Sequence, residues 1–575
     1  MRLDSRRTWL RRAAVVAAVA LTFGSLGATG AEAHGGKHPK PTPKPVQVRI
    51  ISFNDLHGNL EPPAGSSGRV VQADGTTVDA GGAAYLATHV KQLRSEVKNS
   101  VVVSTGDSVG ASPLASALFH DEPTVEVLNE LDVRAMALGN HELDEGYDEL
   151  LRLQRGGCHP VDGCQFRSSF GGADFPVLAA NVYLKRSGLP ALLPFTIVRS
   201  GGMPVAVIGA TLKDLPDVVV ADGIKKLRFG DEVSAINRTS RALDRLGVKS
   251  QVVLVHQGDS PAAGNGPNAC GVTSGPGLTI AKNVSASVDA VFLAHSHQQY
   301  NCVVDDPEGN SRPVIQGLSF GRLLSVVDLQ IDPRTRDVLR DETVAHNEIA
   351  TRTVTPDPAV QAIVDEAKAK SAPLANRQIG TITADLVRAA GASGESPLGD
   401  VIADAQLAAT VSNGAQIAIT NPGGIRADFT YASSPAGEGN GVVTYGEAYT
   451  VQPFGNIMQT VTLTGAQLDA VLEQQWSPTR TAILQISNGL SYTATVGNPI
   501  GDRVSNLSLN GVPITPTGTY RVSINNFLAG GGDGFTVFTQ GTDLQGGPID
   551  LDALVDYFAA SSPIAPPPLN RITLG

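Results

Sequence analysis

The chain has 575 residues, of which 42% are hydrophobic and 17% charged, and its formal net charge is −11 at pH 7. That length exceeds one ordinary hydrophobic core and predicts two large domains. The acidic balance argues against sequence-independent binding to nucleic acid polymers or to anionic membranes.

The first 33 residues carry Arg2, Arg6, Arg7, Arg11 and Arg12 against Asp4 and Glu32. An apolar run over 13–21 comes next, then small residues ending in Ala31-Glu32-Ala33. A basic start, a short apolar run and an A-x-A end read as an export signal over 1–33. Ser5-Arg6-Arg7-Thr8-Trp9-Leu10 resembles a twin-arginine signal. The apolar run is too short for a membrane span, so a secreted chain without stable membrane insertion is expected, with cell-wall association left open. Residues 34–45 form a Pro/Lys linker. Cys158, Cys164, Cys270 and Cys302 allow three disulfide connectivities. The short loop favours Cys158–Cys164, which leaves Cys270–Cys302, and the absence of a C-x-x-C argues against zinc.

From residue 46 the pattern changes. Apolar runs at 48–53, 100–104, 205–209, 252–255 and 288–293 read as buried strands. Helix-like stretches at 83–97 and 124–131 lie between them, and 326–331 reads as the last strand. This alternation predicts an α/β (α+β) layered domain over 46–354. Residues 355–376 read as a capped helix joining it to a smaller α/β domain over 377–575, which is rich in Gly, Thr and Asn. All 11 histidines precede residue 350, so histidine chemistry belongs to the first domain.

The informative residues stand directly after the apolar runs. The runs end in Asn54-Asp55-Leu56-His57, Thr105-Gly106-Asp107, Gly139-Asn140-His141-Glu142-Leu143-Asp144, His256 and Ala294-His295-Ser296-His297. Strand ends in layered α/β domains converge on one edge of a sheet. The D-x-H spacing puts Asp55 and His57 on the same side of an extended segment. A phosphate ester repels a nucleophile; two divalent cations about 3.5–4 Å apart neutralise it and generate hydroxide from water near neutral pH. Mixed imidazole and carboxylate ligands suit Zn, Mn, Fe or Co better than Mg or Ca.

D-x-H, G-D, G-N-H-E and a closing H-x-H, in this order, resemble the calcineurin-like metallophosphoesterases, and the resemblance to their 5′-nucleotidase branch covers nearly all of 46–575. It implies a four-layer sandwich followed by a nucleotide-binding domain, with Zn, Mn or Co as the expected pair of divalent ions. By the resemblance Asp55, His57 and His297 would hold one ion, Asn140, His256 and His295 the other, and Asp107 would bridge. His141 would be the catalytic histidine and Asp144 its orienting carboxylate. Ala294 stands where the family often has Gly, and position 297 varies between His and Gln in relatives.

The second domain carries loops of the same kind. In Asn421-Pro422-Gly423-Gly424-Ile425-Arg426 a guanidinium adjoins a glycine turn, and Arg grips phosphate with two parallel hydrogen bonds. The resemblance implies that Phe454 and Phe527 sandwich the base, that Arg426 and Arg388 hold the phosphate, and that Asp533 of Gly531-Gly532-Asp533-Gly534-Phe535 contacts the ribose. The implied reaction is in-line attack of a metal-bound hydroxide on the terminal phosphorus of a nucleotide. A 2′,3′-cyclic phosphodiesterase with 3′-nucleotidase activity, a UDP-sugar diphosphatase and an inactive secreted binding protein of the same fold are the alternatives. Two motifs are set aside. Gly317-Leu318-Ser319-Phe320-Gly321 matches G-x-S-x-G, but a nucleophile elbow needs a helix after the Ser, and 323–331 reads as a strand. His141-Glu142 begins like a zincin helix, but position 145 is Glu.

Overall fold

The computed structural model describes residues 43–63, 65–219, 223–261, 266–434, 437–477 and 480–575. The expected signal segment and nearly all of the Pro/Lys linker lie outside the described residues. Residues 44–575 form one compact unit.

The runs of Val, Ile and Leu build two six-stranded sheets. One has the order Val344–Ile349, Leu323–Ile331, Val46–Phe53, Ser100–Ser104, Val133–Ala137, Val177–Leu178. The other runs Tyr300–Asp305, Ser311–Gln316, Ala290–Leu293, Ser250–His256, Met203–Thr211, Phe195–Ser200. The first strand shows why both of its faces are apolar. Val48 and Ile50 join Val103, Val207, Leu254 and Phe292 in a core between the sheets. Ile51 and Phe53 point the other way, into a core with Leu86, Val90, Val127 and Leu150 of the helices Ala83–Glu96, Glu122–Glu130 and Tyr147–Arg155. On the far side of the second sheet, Ala206, Ile208 and Val253 pack against Ile236 and Leu243 of Glu232–Arg245 and Leu278 of Pro276–Asn283. The period-two alternation of the strands thus yields helix, sheet, sheet, helix: the expected four-layer sandwich.

Two expectations need correction. The strand Leu323–Ile331 is not the last, because Val344–Ile349 pairs antiparallel to it at the sheet edge. Its Val-Ala-His-Asn-Glu-Ile sequence is half polar because, at the edge of the sheet, all but one of its side chains keep some exposure. The ligand-bearing strand ends also come from two sheets rather than one: 46–53, 100–104 and 133–137 from the first, 250–256 and 290–293 from the second.

The joining helix is Pro358–Ala375, started by the Asp357 side chain, which accepts from the Ala359 and Val360 N–H groups. Proline suits the first turn, where its missing N–H has no partner to lose. Val360, Val364 and Ala367 bury into the helical core of the first sheet, so this helix is part of the sandwich's outer layer. Beyond it, a mixed five-stranded sheet has the order Gln485–Ile486, Ile417–Thr420, Thr519–Asn525, Ile457–Thr464, Thr542–Ile549. Helices Pro397–Thr410, Gly465–Glu473 and Asp550–Ser561 accompany it. Both expected disulfides are present, Cys158–Cys164 and Cys270–Cys302. Among the described residues no helix is long and apolar enough to cross a membrane.

Candidate active site

Five strand ends deliver their polar side chains to one place. Asp55, His57, Asp107, His295 and His297 all adopt positive φ, between 47° and 69°. The chain leaves three of the five strands in a left-handed step, and Asp and His tolerate this region better than most residues. The turn after the third strand needs its glycine: a Cβ on Gly139 would lie 2.1 Å from Asp107 Oδ1.

The groups converge closely. His57 Nε2 lies 3.1 Å from His297 Nε2 and 3.8 Å from Asp107 Oδ2, and His297 Nε2 lies 3.5 Å from Asp55 Oδ1. Asp55, His57 and His297 offer ligand atoms within 4.8 Å of one another, as do Asp107, His256 and His295. His57 Nδ1 donates to Gly110 O at 2.9 Å, and His256 Nδ1 to Thr105 O at 2.9 Å. Each outward nitrogen thereby carries a proton, and in His57 the Nε2 lone pair faces the centre. Burial, then repulsion from His141, holds the His57 pKa well below its ordinary value. Burial, then His256, pushes His295 down to about 4. Both rings are neutral, as ligands must be.

Two buried atoms test whether cations fit. Asn140 Oδ1 has no hydrogen-bond partner, and neither has His256 Nε2, which sits 3.0 Å from Asp107 Oδ2 in too bent a geometry. Orphaned buried polar atoms are costly; His256 Nε2 stands among the ligand atoms of Asp107 and His295, and Asn140 adjoins His141, whose N–H donates to Asp107. The donor set therefore fits a pair of divalent cations. For His256, burial opposes the proton, but Asp107 outweighs it and raises the ring to about 10; a cation would take the place of that proton.

His141 stands beside this centre. Its N–H donates to Asp107 Oδ1 at 2.9 Å, and its Nδ1 contacts Asp144 Oδ2 at 2.9 Å. Burial lowers its pKa, but Asp144 and Asp107 outweigh that and the net shift is upward. Asp144 Oδ2 also accepts the Ala111 N–H at 3.0 Å, which fixes the carboxylate.

The second domain closes over the centre. Arg426 is half-buried, with Nη2 3.5 Å from His57 Nε2 and its guanidinium 5.8 Å from the Phe454 ring. Phe454 stacks on His141, centroids 5.7 Å apart. Burial first, then Arg388, lowers the Arg426 pKa. Arg388 is close enough to repel Arg426, yet its guanidinium reaches Ile425 O and Ser67 Oγ at 3.5 and 3.4 Å. Asn421, Phe527 and Asp533 form a separate group. Asn421 Nδ2 donates to Asp533 Oδ2 at 2.8 Å, and a Cβ on Gly532 would lie 2.6 Å from the Phe527 ring. Gly424 faces Asn421, whose Oδ1 would lie 3.2 Å from a Cβ there.

Sequence reasoning passed over Glu142. Its buried carboxylate accepts the N–H groups of Gly139, Asp107 and Ser108 at 2.7, 3.0 and 2.8 Å, joining two ligand loops. The one signal was its place inside G-N-H-E.

Comparison with known proteins agrees with this architecture. Residues 48–299 match the calcineurin-like phosphoesterase family and residues 378–540 the 5′-nucleotidase C-terminal domain. A Listeria monocytogenes cell wall protein is 33% identical over 89% of this chain and 67% of its own length. The Bacillus subtilis endonuclease YhcR is 33% identical over 95% of this chain, which spans only 42% of that protein. The crystal structure of a 5′-nucleotidase precursor from Thermus thermophilus superimposes with a TM-score of 0.75 at 27% identity, covering 92% of this chain and 99% of that one. Taken with the sandwich and its convergent histidines and carboxylates, these matches mean that the chain belongs to the two-domain 5′-nucleotidase family of metal-dependent phosphoesterases.

Proposed function

We propose that this chain is a secreted 5′-nucleotidase that removes the terminal phosphate of nucleotides, with 46–354 as the catalytic domain and 377–575 as the substrate domain. The observation that carries the reading is the apposition of two half-sites. Imidazoles and carboxylates converge on the sandwich side, and the Arg426 guanidinium stands 3.5 Å from His57 on the other. Asp55, His57 and His297 would hold one cation, Asn140, His256 and His295 the other, with Asp107 shared. Bound there, two divalent ions neutralise the ester's charge and supply a nucleophile at neutral pH.

The chain's own groups do the rest. Among the described residues the partly desolvated Arg426 guanidinium makes hydrogen bonds only at long range, to Gly423 O and His57 Nε2 at 3.5 Å each, so its donors remain for the phosphate oxygens. Its charge also favours the trigonal transition state over the free ester. Asp144 holds His141 at Nδ1, leaving the other ring nitrogen to carry the proton that the departing ribose oxygen needs. Phe454, stacked beside His141, and Phe527 supply faces for the base, and Asp533, held by Asn421, supplies an acceptor for ribose hydroxyls. Mixed N/O ligation favours Zn, Mn or Co. Export is supported by the signal-like start and by both disulfides, which persist outside reducing compartments.

The test is a panel of 5′-AMP, 3′-AMP, 2′,3′-cAMP and UDP-glucose, with and without EDTA. Chelator-sensitive hydrolysis led by 5′-AMP is expected. Hydrolysis led by 2′,3′-cAMP or UDP-glucose would replace the substrate assignment, and turnover unaffected by EDTA would remove the two-metal basis.

A further inference from the structure

The glycine turn at 317–321 carries no nucleophile, but it packs against the metal ligands. Asn54 fastens it: Oδ1 accepts the Gly317 N–H at 3.2 Å, and Nδ2 donates to Leu318 O at 2.5 Å and to Asp55 Oδ2 at 2.6 Å. The Phe320 N–H donates to Asp55 O at 2.7 Å. To do so, Phe320 holds φ at 61°, a region bulky L-residues rarely adopt and one that recurs at functional sites.

The strain directs the ring. It is 7% exposed and stands edge-on to His57, with centroids 6.0 Å apart, and to His297, at 5.7 Å. The Arg322 guanidinium lies 5.6 Å from the ring centroid, pinned by Ser319 O, Ser319 Oγ and Arg69 O. Phe320 also lines a cavity of about 260 Å³, bounded by Leu60 and Pro62 on the sandwich, Ala372 on the joining helix and Thr450 on the second domain. The ring therefore stands between two imidazoles and a space large enough for water.

We propose that Phe320 is a positioning residue. Its ring fixes the orientation of His57 and His297 around one cation and separates that cation from the interdomain cavity. The inference rests on the dinuclear reading of the site. It follows that losing the ring loosens one ion of the pair and leaves the ion at Asn140, His256 and His295 in place.

Three variants separate ring from backbone. Phe320→Gly removes the ring and relieves the left-handed backbone, Phe320→Ala removes the ring and keeps the strain, and Phe320→Tyr keeps the ring. Bound cobalt per chain is measured in chelator-buffered Co²⁺, together with the visible Co²⁺ spectrum, for every variant that retains the wild-type far-ultraviolet circular dichroism. Expected is two ions in wild type and Phe320→Tyr, with one of the two weakened about 10–100-fold in the Gly and Ala variants, the range for lost outer-shell support. A Gly or Ala variant that binds both ions with wild-type affinity and spectrum overturns the proposal. A wild type that binds fewer than two ions overturns the dinuclear reading, and this inference with it.

Discussion

Glu142 offers a sharp test of how the ligand loops are held. Its Oε2 accepts the N–H groups of Gly139 at 2.7 Å and Asp107 at 3.0 Å, and its Oε1 accepts that of Ser108 at 2.8 Å. Burial first, and the Asp107 charge next, raise the carboxyl to about 7, so at pH 8 it is ionised. Replacing Glu142 by Gln leaves a single acceptor oxygen. If that oxygen serves Gly139 and Asp107, the Ser108 N–H faces an NH₂ group and goes unsatisfied, at about 1–3 kcal/mol. The two remaining bonds lose charge assistance, which roughly halves each. Together these losses come to about 2.5–6 kcal/mol. Set against them is about 3 kcal/mol that Gln recovers, because a carboxyl raised to about 7 is disfavoured in its ionised form at pH 8. The net loss for Gln is at most about 3 kcal/mol. Glu142→Ala orphans four donors, the Val109 N–H at 3.4 Å included, and with the same offset should cost at least about 1 kcal/mol. Urea unfolding of the metal-free protein at pH 8 measures the loss directly, away from any contribution of bound ions. Because the Asp107 N–H is one of these donors, both variants should also bind cobalt more weakly. A Glu142→Ala variant with wild-type stability and cobalt affinity would refute the reasoning.

Other consequences can be checked the same way. Arg426→Ala should lower kcat/KM for 5′-AMP about 10- to 100-fold, the equivalent of a charge-assisted bond worth about 1.5–3 kcal/mol, while bound metal stays unchanged; steady-state kinetics with a cobalt count decide it. His120 is held up to about 9, against an ordinary 6.5, chiefly by its hydrogen bond to Glu145, with burial opposing. A folded-state pKa raised in this way contributes stability that is complete below pH 6.5 and lost as pH rises through about 9. His120→Gln should therefore be destabilised most near pH 6 and hardly at all near pH 10 in urea unfolding, and a pH-independent difference would contradict it. Replacing Cys270 and Cys302 together by Ser opens a crosslink spanning 32 positions; about 3–4 kcal/mol of stability should disappear on the chain-entropy account, read from denaturant midpoints.

The legible part of this molecule was the part carried by strands buried on both faces. Runs such as Val-Val-Val at 101–103 are apolar throughout because one face meets the other sheet and the opposite face meets helices. They therefore show up as blocks, and their ends mark where polar ligands emerge. Half-exposed elements leave no such block: Val344–Ile349 lies at a sheet edge, and its mixed sequence concealed it. The same bias assigned the ligand-bearing ends to one sheet, because a run of Val and Ile does not say which sheet it joins.

The supporting residues escaped for a different physical reason. Asp55, His57 and His297 announce themselves by type, since imidazole and carboxylate are what cations bind. Glu142 binds only backbone N–H groups, and no side-chain pattern records which amides a turn will gather around it. Phe320 is more hidden still, because its place depends on a left-handed backbone that its residue type disfavours. A glycine there would have looked natural within Gly317-Leu318-Ser319-Phe320-Gly321. The aromatic side chain in that position makes sense only once His57 and His297 are seen against its ring. In this fold the residues that contact the chemistry are read from their functional groups, whereas those that hold them still are read from a local backbone preference being overridden.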